Sequence, residues 1–452
     1  MKSAVRLPVI AAALSCTIAT PVMAQGPAPT AEEELAAMRA QLQALTGRID
    51  QLENELEQAQ AANADQDAVI AANAEAVAKP APAPEVKPAD SLAKSGWSFK
   101  PRGRLMFDAG TLGVPDGVAA DDGFGSEVRR ARLGASGDLA GGFAYKFEFD
   151  FANNEVEAAD AILTYEDGPI EVTIGHHNNF QSLEELSSSL HTSFIERAAF
   201  TDAFGFERRL GLSASYNSGI LLAQAGVFSD NFDDTSTKNR SVDGRVVVMP
   251  KMGDTQLHFG GSLHFNELGQ DDATVRYRQR PFVHFTSSRF VDTRSLGADS
   301  EFGAGVEAAA ISGPFHAAAE GYWQNVDVPL ASENPTFFGG YAEVGYFLTR
   351  GDSRGYKGGK FDRVKPRSAV GKGGMGSVQL NLRYDYLDLN DAGILGGVQN
   401  GYQASLIWKP TDYTLFSANY GRMDYSDAAI PAFDGNTDYA ADAFGVRAQV
   451  DF

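Results

Sequence analysis

The chain has 452 residues, 47 of them glycine and 10% aromatic, with a formal net charge of -21 that disfavours nucleic acid and anionic surfaces as partners. Its only cysteine, Cys16, excludes an intramolecular disulfide and thiolate zinc sites. No nucleophile-elbow, HExxH or P-loop signature occurs, so the sequence points to no enzyme, no cofactor and no metal.

Residues 1–24 read as a cleaved secretory signal: Lys2 and Arg6 precede the mostly apolar run Leu7 to Thr20, and Val22-Met23-Ala24 offers a small-x-small cleavage site before Gln25. A lipoprotein anchor at Cys16 is the competing reading, but Ala13 stands where an aliphatic residue is usual. Residues 25–78 read as an α-helical coiled coil. Leu35, Met38, Leu42, Leu45, Ile49, Leu52 and Leu56 step by three and four, and a weaker seam continues through Ala59, Asn63, Gln66, Ile70, Asn73 and Val77. Self-association is the natural consequence; a solvated single helix is the alternative. Residues 79–96 form a linker whose Lys79-Pro80-Ala81-Pro82-Ala83-Pro84 and Pro88 predict a semi-rigid spacer.

From residue 97 to 452 the period changes to two. In Phe143-Ala144-Tyr145-Lys146-Phe147-Glu148-Phe149-Asp150-Phe151 every odd residue is aromatic and every even one small or charged, and at the C-terminus Phe444, Val446, Ala448, Val450 and Phe452 alternate with Arg447, Gln449 and Asp451. Few segments could cover such a face with helices, so the sheet is expected to close on itself with its apolar side to lipid. Sixteen strands are expected at about 98–109, 127–138, 142–151, 159–166, 169–176, 207–217, 219–228, 240–249, 255–266, 299–312, 314–326, 336–350, 376–389, 398–408, 412–423 and 441–452. Tight turns at Gly141-Gly142, Gly168-Pro169, Ser218-Gly219, Gly313-Pro314 and Pro410-Thr411 alternate with long connections at 177–206, 267–298 and 424–440. That parity is expected of an all-β, sixteen-stranded antiparallel outer-membrane barrel with short periplasmic turns and long external loops. The connection at 351–374 breaks the parity: it falls on the short side yet is long, and it carries Arg354, Lys357, Lys360, Arg363, Lys365, Arg367 and Lys372. It is expected to receive a solute, to touch a periplasmic partner, or to be plain turn.

The selectivity of such a barrel rests on charges lining its lumen. Arg276, Arg278 and Arg280 occupy alternate positions, so an extended segment would point all three one way, about 7 Å apart, as a ladder for an anion; the alternative is a loop tip paired with Asp271 and Asp272. In Arg129-Arg130-Ala131-Arg132 strict alternation turns Arg130 and Arg132 inward and leaves Arg129 at the rim or at a bulge. Arg102, Arg104, Lys146, Arg383 and Arg447 also face inward, with structural ion pairing expected for Lys146 beside Glu148 and Asp150 and for Arg383 beside Asp385. That leaves Arg276, Arg278, Arg280 and Arg130 available to a solute. His176-His177 is read as a rim pair rather than a metal site.

Arg102-Gly103-Arg104-Leu105, Val128-Arg129-Arg130-Ala131-Arg132-Leu133-Gly134, Ile195-Glu196-Arg197 with Arg208-Arg209-Leu210-Gly211, Tyr346-Phe347-Leu348-Thr349, Phe361-Asp362-Arg363-Val364-Lys365-Pro366 and Leu382-Arg383-Tyr384-Asp385 resemble, in order and spacing, the phosphate-selective porins O and P. The resemblance implies a homotrimer of sixteen-stranded barrels in outer-membrane lipid. It also implies two long loops folded into the lumen and an arginine ladder above a lysine-containing constriction that binds phosphate. Arg276, Arg278 and Arg280 match ladder positions, and Arg129 and Arg130 match paired arginines of the pore wall. His284 stands where a further ladder arginine is expected and Leu190-His191 where the lysine is expected, so His191, His284 and Lys146 become the constriction candidates. The expected function is passive diffusion of small anions, phosphate among them. A general or sugar-type porin and a tether holding the outer membrane to the cell wall through the coiled coil are the alternatives.

Overall fold

A computed structural model describes residues 96–152, 155–230, 239–269, 273–329 and 332–452. The expected signal segment 1–24, the coiled coil 25–78, the linker up to residue 95, and Asp271 and Asp272 lie outside the described residues.

Among the described residues, sixteen long strands form one sheet: β1 Lys100–Gly113, β2 Gly123–Leu139, β3 Phe143–Asp150, β4 Glu157–Asp167, β5 Ile170–Asn178, β6 Arg208–Asn217, β7 Leu221–Phe228, β8 Arg240–Val248, β9 Thr255–Glu267, β10 Ser300–Ser312, β11 Phe315–Asp327, β12 Thr336–Phe347, β13 Ser377–Asp391, β14 Ile394–Thr411, β15 Thr414–Ser426 and β16 Tyr439–Asp451. Each pairs antiparallel with the next, and β16 returns to β1 in a ladder from Arg104↔Asp451 to Gly113↔Asp442. The sheet is a closed barrel. Closure is what a strand-built span in hydrocarbon requires, since an open edge would leave a row of unsatisfied backbone groups there.

Alternation then sorts the side chains. On β3, Phe143, Phe147 and Phe149 are exposed on the outside while Glu148 is buried within, and the pattern repeats on β16, where Phe444, Val446 and Val450 face out and Arg447, Gln449 and Asp451 are buried. Two connections depart from the expected boundaries. The β13–β14 connection shrinks to Ala392-Gly393, both at positive φ (50° and 81°), the geometry of a two-residue hairpin turn. Pro410, expected in a turn, lies inside β14, where the register to β15 shifts between Trp408 and Thr411; that irregularity accommodates a residue with no N–H to donate.

The closing seam carries its own ion pair. Asp108 and Arg447 face each other directly across β1 and β16, with Nε to Oδ1 and Nη2 to Oδ2 both at 2.7 Å, and both are buried. Removing the guanidinium would strand a buried carboxylate. Arg447→Ala should therefore cost about 3–5 kcal/mol, measured as a lower temperature at which the detergent-solubilised barrel loses its compact gel mobility; unchanged mobility against temperature would show that the seam does not depend on this pair.

Candidate solute pathway

A barrel of this circumference would enclose a wide aqueous channel, but one side of it is filled. The β5–β6 connection at 179–207, with two short helices α1 Leu183–Leu186 and α2 Ala199–Ala203, folds inward. So does the β9–β10 connection at 268–299, whose extended pieces form two-residue ribbons, Thr274–Val275 with Leu296–Gly297 and Arg278–Gln279 with Val291–Asp292. Leu183, Phe194, Phe200, Phe204 and Phe206 from the first and Tyr277, Phe282, Val283, Phe290 and Val291 from the second share one apolar cluster with Tyr322, Phe337, Tyr341, Leu387 and Met423 of the wall. Residue 339 of β12 has to be glycine, because any Cβ there would collide with Phe200.

Carboxylates of the wall hold the first loop by its backbone. Glu320 accepts from the N–H groups of Leu183 and Glu184 at 2.8 and 2.7 Å, and Asp385 accepts from Ala199 N–H at 2.9 Å. Arg197 closes the loop on itself by donating to the carbonyls of Glu184, Glu185 and Ser187.

What remains open is a cavity of about 1010 Å³ against the half of the wall built by β1 to β8, bounded on its other sides by the two loops and by residues 357–363. Arg129, Arg130, Arg132, Lys146, His191, Arg280 and His284 all line it, and Arg276 and Arg278 do not. The register shift between Met106 and Phe107 opposite Arg129 is a bulge that turns both Arg129 and Arg130 to the lumen. Arg129 is engaged: its Nε and Nη2 bind the two oxygens of Glu196 at 2.7 and 3.0 Å. Burial alone would raise the Glu196 pKa, but the Arg129 guanidinium overrides it and holds the carboxyl well below the usual range. Arg132 is also engaged, by Asp150 at 2.7 Å and Glu148 at 3.2 Å. Lys146 pairs with Asp160, not with the expected Glu148 or Asp150, because Asp160 is its diagonal cross-strand neighbour on β4 while Glu148 is taken by Arg104 and Arg132. Arg383 makes the expected pair with Asp385, at 3.9 Å, and a closer one with Glu184 at 3.3 Å, with its guanidinium 4.3 Å over the Phe194 ring.

The expected ladder is only partly free. Arg276 is clamped by Asp292, with Nε to Oδ1 at 2.8 Å, and Arg280 is drawn to Asp202, which accepts its backbone N–H at 2.9 Å. Arg278 is exposed and forms no salt bridge among the described residues. Arg130 lies amid Arg129, Arg132 and Arg197, also without a salt bridge among the described residues and with its Nε unbonded. So of the four residues expected to be available, Arg276 is occupied, Arg280 partly so, and Arg130 and Arg278 remain. Of the constriction candidates, His284 is bound by Glu127 at 2.7 Å. His191 is pushed down to about 3, by burial first and then by Lys409, Arg363 and Arg354, so it is a neutral imidazole at physiological pH. His177 is satisfied by the carbonyl of Asn178 at 2.9 Å and by Ser213 Oγ at 3.3 Å.

The connection at 348–376 also enters the lumen, from the end that bears the C-terminus. Its hairpin, Gly355–Lys357 paired with Lys360–Asp362, places Lys357, Lys360 and Arg363 on the cavity. The signal for it was present as a Lys-Gly-Gly-Lys turn in a connection too long for its side, although nothing local in the sequence says that it turns inward.

The sequence profile described as phosphate-selective porin O and P matches residues 99–452. The chain belongs to that family. A Caulobacter vibrioides protein of unassigned function is 45% identical over 93% of this chain and 89% of its own length. Among solved structures, OprB of Pseudomonas putida (13% identity, TM-score 0.51, 80% of this chain and 96% of that one) and an anion-selective porin from Comamonas acidovorans (14%, 0.50, 79% and 100%) share the fold. This porin is thus an outer-membrane channel barrel; its terminus-bearing end is periplasmic by the parity of such barrels.

Two outcomes follow from this geometry. His191→Asn should leave ion selectivity unchanged from about pH 5 to about pH 8, since the residue it replaces carries no charge there; a selectivity shift in reversal potential would contradict the neutral imidazole. Asp385→Ala should free the start of α2 and raise open-channel current noise, with quiet single-channel records as the opposing result.

Proposed function

We propose that this porin passes small anions passively, with phosphate among its solutes but without strong selectivity for it. The carrying observation is the lining: thirteen Lys and Arg against nine Asp and Glu surround the cavity, in a chain whose total is -21. The lumen thus has the sign opposite to the protein. Of the four arginines expected to serve a solute, Arg130 and Arg278 make no salt bridge among the described residues, and Arg104, whose Nη1 donates to Ser189 Oγ at 3.0 Å, ties the first loop to the same space. The weaker grip on phosphate follows from His191 being neutral and His284 being held by Glu127. An exposed pair at about 4 Å is worth roughly 1 kcal/mol in water and several times that in a confined site, so each unpaired guanidinium matters and each paired one matters little.

In the same reading, residues 1–24 are the export signal, residues 25–78 a coiled coil that joins copies of the chain as a homotrimer, and residues 79–96 a spacer to the barrel. The heptad seam from Leu35 to Leu56 supports that assembly and also suits a contact with the cell wall. The sequence and charge pattern leave no role for nucleic acid.

In planar bilayers under a potassium chloride gradient the wild type should show a reversal potential of chloride preference. Arg130→Ala should reduce the chloride-to-potassium permeability ratio by about fivefold, equivalent to ~1 kcal/mol, whereas Arg276→Ala, whose charge Asp292 already neutralises, should change it far less. Potassium preference in the wild type, or equal effects of the two substitutions, would overturn the reading.

A further inference from the structure

The connection between β12 and β13 divides its cations between two faces. Lys357, Lys360 and Arg363 line the cavity, and Arg354 is buried. Arg350, Lys365, Arg367 and Lys372 are exposed, lie off the cavity and form no salt bridge among the described residues. The carboxylates of the connection offer them nothing. Asp352 is buried, where it accepts from Thr349 Oγ1 and from the Arg367 N–H, and Asp362 lines the cavity, 3.6 Å from His191 Nε2. A Cβ on Gly351 would lie 2.6 Å from Arg367 Nη1, so the Arg367 guanidinium lies against the residue next to Arg350.

Part of the same connection folds back onto the outside of the barrel. Trp408 lies on the outward face of β14 with Tyr402 and Leu406, all exposed, and stacks on Phe416 of β15 with ring centroids 5.5 Å apart. Its indole N–H donates to the Met375 carbonyl at 2.7 Å, and the Val370 N–H donates to the Pro410 carbonyl at 2.8 Å. Residues 370–375 are thereby tied to the lipid-facing side of β14 at its periplasmic end, with Val370 exposed and Met375 62% exposed. Phe315 and Tyr346, outward on β11 and β12 at the same end with centroids 4.6 Å apart, extend the aromatic row. Such rows mark the depth of the lipid headgroups. Lys372 falls between Val370 and Met375 in the chain, and Arg350 follows Leu348, another exposed apolar side chain, whose N–H donates to the Val378 carbonyl at 2.8 Å. Exposed apolar side chains and uncompensated cations thus meet at the depth where acyl chains give way to phosphates.

We propose that this outer face of the connection binds the headgroup of an anionic phospholipid in the periplasmic leaflet. Arg350, Arg367 and Lys372 hold its phosphodiester, Lys365 adds to the local field, and Val370 and Met375 rest on the acyl chains. An acidic soluble partner would satisfy the cations but has no use for the apolar side chains. The inference rests on the barrel's place in the outer membrane and not on the solute it passes.

The test takes the full-length protein from vesicles of equal parts dioleoylphosphatidylglycerol and dioleoylphosphatidylcholine into mild detergent and counts the lipids that stay bound by native mass spectrometry. The wild type should keep phosphatidylglycerol in preference to phosphatidylcholine. Arg350→Gln, Arg367→Gln and Lys372→Gln should each lower that preference about fivefold, the effect of one cation near an anionic surface, and Arg350→Lys should keep it. Lys100→Gln, an exposed residue at the periplasmic end of β1 that pairs with Asp138, should match the wild type. Met375→Asn should weaken retention of phosphatidylglycerol, a loss that binding of a soluble anion would not show. Equal retention of the two lipids by the wild type would overturn the proposal. So would glutamine variants as retentive as Lys100→Gln, or soluble acidic cell-wall peptides bound through the same cations with Met375→Asn without effect.

Discussion

Every backbone N–H and C=O inside the hydrocarbon needs a partner within the sheet, and the ladder from β16 back to β1 is what meets that requirement. Once the sheet is closed, side-chain alternation leaves no choice about what faces where. Phe147 must face lipid if Lys146 and Glu148 are to face water, and the ion pair of Asp108 with Arg447 then falls on the lumen side of the seam. The polar interior is a consequence of closure, and the charges available for selectivity are drawn from the residues that closure turns inward.

Closure also creates a problem that the loops resolve. Sixteen strands enclose more space than a selective path for small ions can use, and the apolar cluster of Phe194, Phe200, Phe204, Tyr277 and Phe290 fills one side of it. That core belongs to loops, so its position depends on how the loops are tied to the wall. Glu320 and Asp385 do so by accepting backbone N–H groups at the starts of α1 and α2, where a carboxylate also meets the positive end of the backbone dipoles. The first loop is thereby a fixed partition between packed protein and open lumen.

The sixteen strands were legible because their signal is local: period two, turn residues and a C-terminal aromatic each read over fewer than a dozen residues. The bulge at Arg129 was legible as a conflict, since two adjacent arginines cannot both face one side of a regular strand. What could not be read was pairing at a distance. Asp292 lies sixteen residues after Arg276 on the other arm of its ribbon, and Glu196 reaches Arg129 from a different connection altogether. The first converts an arginine expected to be available into a structural one, and the second occupies an arginine expected only at the rim or at a bulge. The diagonal Lys146–Asp160 pair depends on the β3–β4 register, whereas Glu148 and Asp150 stand beside Lys146 on its own strand.

A paired cation and an unpaired one present different fields to a passing ion. A guanidinium held at 2.7 Å by a carboxylate, as Arg129 is by Glu196, presents a nearly neutral dipole to a passing ion, and extracting it would leave a buried carboxylate behind. Arg130 on the wall and Arg278 on the second long loop make no salt bridge among the described residues, so folding leaves each without a counter-charge of its own. They come from a strand and a loop that have no common local sequence pattern. Under the anion-pore reading proposed above, such separated shallow wells would release a solute more readily than a single deep well.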